Sequence, residues 1–294
     1  LLLLVALLLT LVPSCTDKEE PIPSYLHIPY IDLEVPIDGT QGSNAHDILD
    51  AWVYVNGLLI GAFEVPATIP ILTSGSSRIN VFAGVKNNGL NNKRIRYPFY
   101  RSFDTDIDLT PGKVDTLIPL VVYNQNAKFS WIEDFEDGSV SLEKSGSFTT
   151  IDSFYITENS TDVYAYNGTT NRRSGAVDIP SGAQSFENST IQSFALPRAG
   201  QDIYLELNFK CNTETVIGLY PITSDVVQGF PLVNLFSTVD ELGVMQWKKI
   251  YISLVADVNN PAYVGAEFKT FISAQTNSAE ESKLFFDNIK LVHF

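Results

Sequence analysis

From Tyr25 to Phe294 the chain is a succession of short runs rich in Val, Ile, Tyr, Phe and Thr, cut at intervals by Gly, Asn, Asp, Ser and Pro. Runs of that kind suit the pleated, half-buried surface of a strand, and the breakers between them supply the backbone angles of turns. Apolar residues at helical spacing are almost absent. The pattern predicts an all-β chain built as sandwiches. No period of solenoid or propeller length repeats. With 45% hydrophobic and 12% aromatic residues the chain can fill packed cores. Its length leaves room for two domains at about 100–200 residues each.

The first unit spans residues 25–125. Ala51 to Val55 is β-prone throughout and runs into Asn56-Gly57, with a return strand from Leu58 to Phe63. Asn-Gly between apolar runs is the strongest short hairpin signal, because both residues tolerate positive φ. Pro66 to Ile71, a turn at Ser74-Gly75-Ser76 and a strand from Arg78 to Val85 follow. Thr110 to Lys113 is a further turn, and Val114 to Val122 reads as one closing strand. This order resembles small transthyretin-like or immunoglobulin-like β-sandwiches, which implies a fold and no activity.

The second unit spans residues 126–294. Its Trp131 to Gly138 segment contains Asp134-Phe135-Glu136-Asp137-Gly138, followed by strand-like runs at 203–209, 246–254 and 284–292. Ile250, Ile252 and Leu254 alternate with Lys249, Tyr251 and Ser253, predicting one buried and one exposed face. The last run carries apolar groups on both faces, Phe285, Ile289 and Leu291 against Leu284, Phe286 and Val292. It is therefore expected to be covered on both sides or to lie at a domain contact. Together these segments resemble the jelly-roll sandwich of carbohydrate-binding modules and galactose-binding-like domains. The resemblance implies a carbohydrate ligand and leaves its identity open.

Residues 1–15 read as a signal segment. Leu1 to Val12 is uncharged and apolar apart from Thr10, shorter than the roughly 20 residues of a spanning helix and suited to an export signal. Val12-Pro13-Ser14-Cys15 resembles a bacterial lipobox, with Pro13 an imperfect spacer. It implies diacylglyceryl attachment to the Cys15 thiol and acylation of its freed amine. Two or more acyl chains give stable membrane anchoring, each buried CH₂ contributing about 0.8 kcal/mol. Residues 16–24 form a linker. Its Asp17-Lys18-Glu19-Glu20 resembles the surface-export signal of Bacteroidetes-type lipoproteins, although a solvated spacer has the same composition. The expected location is the outer membrane, lipid-anchored, at the cell surface or alternatively on the periplasmic face.

Formal net charge is −15, which repels phosphate backbones and argues against nucleic acid as a partner. A polysaccharide or an outer-membrane protein is the expected partner besides the membrane. Lys86, Lys93, Arg94, Arg96 and Arg101 cluster in this acidic chain, interleaved with Tyr97, Phe99 and Tyr100. They form a docking patch or a solvated hairpin in which Arg96 to Tyr100 continues a strand. His27, His46 and His293 lie apart, and no nucleophile elbow, P-loop or dinucleotide motif occurs, so no catalytic residue is nominated. Cys211, the second of two cysteines, is expected as a buried thiol.

No cofactor is required. The jelly-roll resemblance implies a structural calcium held by Glu136 and Asp287, with Glu133 or Asp137 as helpers. A plain turn at Asp137-Gly138 and a backbone cap at Asp287 account for the same residues. For a glycan, rings flanked by amides and guanidinium groups point to Tyr164, Tyr166, Asn167, Arg172 and Arg173, with Tyr220 and Tyr263 as further candidates. Tyr164 and Tyr166 also carry strand spacing, which favours packing. Trp52, Trp131 and Trp247 are expected in core or interdomain packing.

Overall fold

The structure, a computed structural model, describes residues 20–294 except 148, 166–170 and 224–227. Cys15, the Asp17 to Glu19 part of the acidic cluster, Tyr166 and Asn167 lie outside the described residues. No helix among those described is long and apolar enough to cross a membrane. The described residues are all-β apart from one helical turn (α1, Val255–Val258) and a short 3-10 turn at Pro261–Tyr263.

Ten strands build the first unit: β1 (Ser24–Ile28), β2 (Asp32–Glu34), β3 (Asp50–Val55), β4 (Leu58–Glu64), β5 (Ala67–Ile71), β6 (Gly75–Lys86), β7 (Arg94–Arg96), β8 (Phe103–Leu109), β9 (Val114–Thr116) and β10 (Leu120–Val122). One sheet runs β4-β3-β6-β7, with β8 also on β6; β5-β1-β9 and β10-β2 complete the unit. The β3–β4 hairpin turns at Asn56 and Gly57 with φ of 51° and 80°, the left-handed pair that fits strand twist. Ala51, Val53 and Val55 alternate inward and meet Ile79, Val81 and Val85 of β6 in a core closed by Leu26, Ile28 and Ile69. The single closing strand expected over Val114 to Val122 is two. Pro119 has no N–H to give a ladder. β9 pairs in parallel with β1, and β10 in parallel with β2.

The second unit comprises β11 (Lys128–Glu133), β12 (Leu142–Lys144), β13 (Tyr155–Thr157), β14 (Ser174–Ile179), β15 (Gly182–Thr190), β16 (Ile203–Cys211), β17 (Thr215–Ile222), β18 (Phe230–Leu235), β19 (Lys248–Ser253), β20 (Glu267–Ser278) and β21 (Ser282–His293). A six-stranded sheet, β13-β14-β21-β16-β19 with β11 also on β21, packs on a five-stranded sheet, β12-β15-β20-β17-β18. Between them lie Leu205, Leu207, Phe286 and Leu291 from the first sheet, and Phe186, Ile217, Phe268 and Ile272 from the second. Cys211 is buried and unpaired.

The faces of β21 differ from simple alternation. Glu206 pairs with Lys290 and Asn208 with Asp287, so Leu207 stands opposite two residues. Asn288 takes the extra place at φ 49°. Such a bulge shifts side-chain parity by one. Leu284 and Phe286 before it share the core with Ile289 and Leu291 after it. Phe285 instead lies on the opposite face, under the Lys210 ammonium at 4.5 Å.

That opposite face is where the two units meet. Tyr204, Tyr251 and Val292 join the core of the first unit, against Tyr97, Phe99, Tyr100 and Tyr123. Lys249 and Tyr251, expected on an exposed face of β19, are therefore buried. β7 ends at Arg96 rather than continuing to Tyr100, and Tyr97 to Tyr100 turn into the interface, the Tyr97 ring edge-on to Tyr204 and Tyr251 at 5.3 and 4.8 Å. The loop after β6 extends the sheet edge: Asn88 donates its N–H to the Tyr251 carbonyl at 2.8 Å and accepts from Ser253 N at 2.8 Å.

Candidate functional site

The interface carries the strongest electrostatics in the molecule. Glu206, fully buried, accepts from the Tyr97 hydroxyl at 2.7 Å and from the Tyr123 hydroxyl at 3.0 Å. It pairs with Lys249 Nζ at 3.0 Å. Lys290 Nζ donates to the Ser43 carbonyl at 2.6 Å and to Tyr123 Oη at 3.3 Å. Burial works to raise the Glu206 carboxyl, but Lys249, Lys290 and the Tyr97 hydroxyl outweigh it and the net direction is down. Burial pushes Lys290 down to about 7 against the pull of Glu206. Burial also raises the Tyr97, Tyr100, Tyr123 and Tyr251 hydroxyls well above their ordinary range. These groups join the two units, and most are closed to solvent.

With much of the outer face of the six-stranded sheet covered, the outer face of the five-stranded sheet becomes the free one in the second unit. Alternation on β15, β20 and β17 brings Ser185, Glu187, Phe271, Gln275 and Tyr220 to it. These side chains line a groove of about 320 Å³, walled by Gly146, Ser147 and Thr149 on one side and Gln228-Gly229 on the other. It continues past Tyr220 into an open depression of about 620 Å³ bounded by Glu143, Ser189, Ile222 and Lys269. The Tyr220 and Phe271 ring centres are 4.9 Å apart.

Two glycines make room for these rings. A Cβ on Gly218 would stand 2.1 Å from Phe271 Cζ, and one on Gly229 would stand 2.6 Å from the Tyr220 ring. The Tyr220 hydroxyl donates to Glu187 Oε1, which also accepts from Ser145 Oγ at 3.1 Å. Burial and this bond to a carboxylate raise the Tyr220 hydroxyl far above its usual range, so it stays a donor. Lys269 and Glu143 pair at 3.0 Å on the rim. The arrangement offers aromatic surface for sugar C–H faces, with carboxylate, amide and hydroxyl groups for sugar hydroxyls.

The residues nominated from sequence fall in three places. Tyr220 lies in this groove. Tyr164 is buried with its ring edge-on to Trp247 at 5.3 Å, beside the junction of the units, and lies in no strand. Arg172 and Arg173 border a separate depression with Glu136, Glu158 and Asn171. The Glu136 carboxylate accepts the Arg172 and Arg173 backbone N–H groups at 2.7 and 3.0 Å, and Arg173 Nε pairs with Glu158 at 2.8 Å. Tyr263 stacks on Phe230 at 5.5 Å. Trp131 is in the core, stacked on Phe194, while Trp247 lines a pocket between the units.

The four acids weighed for calcium do not converge. Glu133 accepts from Ser141 and Phe135, and Asp137 from Ser139. Asp287 accepts from Ser174, Asn171 and the Asn288 N–H, and burial raises its carboxyl well above the ordinary range. Among the described residues no group of three or more His, Cys, Asp or Glu could hold a metal ion.

In the basic cluster, Arg94 is tied to Asp50 and Glu64, and Arg96 lies 4.9 Å over the Phe82 ring. Sequence reasoning missed Glu187, Gln275 and Phe271. Their signal was alternation along β15 and β20, which identifies faces only after the partner strands are known.

No family model matches the chain, and no curated protein matches it at a significant level. Among solved structures the chain is similar to carbohydrate-binding modules from the β-sandwich superfamily, at 17% identity over 83% of this chain and 85% of that one, with a TM-score of 0.39. It is similar to a module specific for non-crystalline cellulose at 15% identity, over 54% and 91% of the two chains, with a TM-score of 0.36. A family 27 module of Caldicellulosiruptor saccharolyticus in complex with mannohexaose is similar at 16% identity, over 57% and 97%, with a TM-score of 0.35.

Proposed function

We propose that the chain is a non-catalytic carbohydrate-binding protein, held at the outer membrane surface by acyl chains on Cys15, whose ligand lies along the groove on the five-stranded sheet. The observation that carries the reading is the half-buried Tyr220 ring, backed by the buried Phe271, on a sheet face with Glu187 and Gln275 beside it. An open groove rather than a closed cavity suits an internal stretch of a polysaccharide.

Glycan-array binding with the full chain in detergent tests this. Retention of at least one polysaccharide is expected, weakened tenfold or more in Tyr220→Ala, a change of about 1.4 kcal/mol. Binding to no glycan, or binding indifferent to Tyr220→Ala and Glu187→Gln, sinks the assignment. Cys15→Ser tests the anchor separately and should move the protein from the membrane to the soluble fraction.

A second reading, an accessory protein that binds a protein partner, is favoured by Leu58, Leu59 and Ile60. These are exposed together just after the β3–β4 turn, Leu58 at 72%. A charged substitution there would break such a contact and leave glycan binding unchanged.

A further inference from the structure

Between the two units lies a second pocket, of about 540 Å³. Its first-unit wall is His46, Asp47, Lys86 and the loop Asn88 to Leu90. Its second-unit wall is Asn208 of β16, Asn234 to Phe236 at the end of β18, Trp247 to Tyr251 and Tyr164. The volume is that of a small-molecule site. It shares no lining residue with the groove.

Two observations give the pocket a chemistry. Lys86, Lys248 and Lys249 all line it. Among the described residues, the carboxylates set against them are Asp47 in the wall, Glu206 behind Lys249 and Glu214 on Asn234. Glu206 also faces Lys290. At least one ammonium group is thus left without a counter-ion, in a chain whose net charge is −15. The other observation is a pair of buried polar atoms without hydrogen-bond partners among the described residues: Asn208 Oδ1 and Trp247 Nε1. Asn208 stands directly across from Lys249 of β19. A buried polar atom without a partner costs roughly 1–3 kcal/mol. Such atoms side by side in one wall are what a polar ligand relieves after a small side-chain adjustment.

From this we infer that the interdomain pocket binds an acidic sugar unit, a hexuronate of an oligosaccharide. Its carboxylate is taken by the Lys86 and Lys248 ammonium groups. Its hydroxyls go to Asn208, Asn88 and Asn234, and a C–H face rests on the Trp247 side. Because the walls come from both units, the ligand would also strengthen their contact. The inference is argued from the pocket's own residues and does not require the groove to be occupied.

The test is titration calorimetry on the full chain in detergent, with oligogalacturonates and oligoglucuronates of two to four units, against neutral oligomers of the same length. An acidic oligomer should bind, with affinity falling as salt is raised, since exposed charge pairs are screened. Lys86→Met with Lys248→Met, two side chains outside the core, should weaken it tenfold or more with an unchanged unfolding midpoint. Trp247→Ala should weaken binding as well, and Tyr220→Ala should leave it intact. Loss in Tyr220→Ala alone would move the ligand to the groove and overturn the pocket assignment. Equal binding of neutral oligomers, or no binding of any acidic oligomer, would overturn it as well, whether or not the groove binds a neutral polysaccharide.

Discussion

Replacing Glu206 by Gln keeps the size of the side chain and its ability to accept from the Tyr97 and Tyr123 hydroxyls, while removing the charge. What remains is the Lys249 ammonium, its side chain 1% exposed, facing no carboxylate at that position, while the fully buried Lys290, already held down to about 7 by burial, loses the pull of Glu206 and sheds its proton. Breaking a buried ion pair from one side costs about 3–5 kcal/mol, most of it the penalty of the stranded charge. A folded chain has only about 5–15 kcal/mol of stability in all, so the loss would be large. It would also be local, since Glu206 and both lysines belong to the second unit while both tyrosines belong to the first. Urea unfolding followed by tryptophan fluorescence reports on both units, with Trp52 in one and Trp131 and Trp247 in the other. The wild type should unfold in one transition; Glu206→Gln should lower the midpoint and separate the units into two. Adding Lys249→Met should restore at least half of the loss, because the stranded charge goes with it. A loss below about 1 kcal/mol would refute the reasoning, as would a double variant whose losses simply add.

Lys290 also sets a pH dependence. Its folded-state value of about 7 lies below the ordinary 10.5, so between these values the unfolded chain binds more protons and stability rises with pH. The contribution approaches about 1.4 kcal/mol per pH unit. Its removal in Lys290→Met should flatten the midpoint-against-pH curve between pH 7 and 10 relative to wild type; parallel curves would contradict it. Gly218→Ala places a methyl 2.1 Å from Phe271 Cζ and 2.5 Å from the Phe230 carbonyl. It should cost about 1–3 kcal/mol by overpacking, read by denaturation, and disturb the groove by displacing Phe271. Burial raises the Cys211 thiol to about 11, so a thiol reagent at pH 8 should label it only on unfolding; labelling of the folded chain at a free-thiol rate would refute its burial.

Composition and alternation carried the all-β architecture, because a strand's preference for Val, Ile, Tyr and Phe is local and turn residues announce themselves. Asn56-Gly57 is the clearest instance: the two residues that make the turn are also the two that name it. Pro119 was equally visible, but its effect depended on β1 and β2 lying beside the chain there. Lys249 and Tyr251 show the limit from the other side. Alternation placed them correctly on one face of β19 and then assigned that face to water, since one strand's sequence does not record what another domain lays upon it. The bulge at Asp287-Asn288 is invisible to parity counting for a related reason: it exists in the pairing with β16, not in either strand alone. The ligand candidates scattered because residue type identifies what can touch a sugar and says nothing about which face a strand presents. Tyr220 and Tyr164 have the same chemistry, yet one stands on a strand at the groove and the other lies in no strand, buried against Trp247.

The two sheets of the second unit stack about 10 Å apart. The first unit sits on the outer side of one, and the groove opens on the outer side of the other. A ligand in the groove therefore binds on the side of the sandwich that faces away from the first unit. Because the contact is fastened by a shared core and by Glu206 rather than by a loose linker, the first unit works as a bracket. Whatever fixes the first unit in place therefore also sets the bearing of the groove.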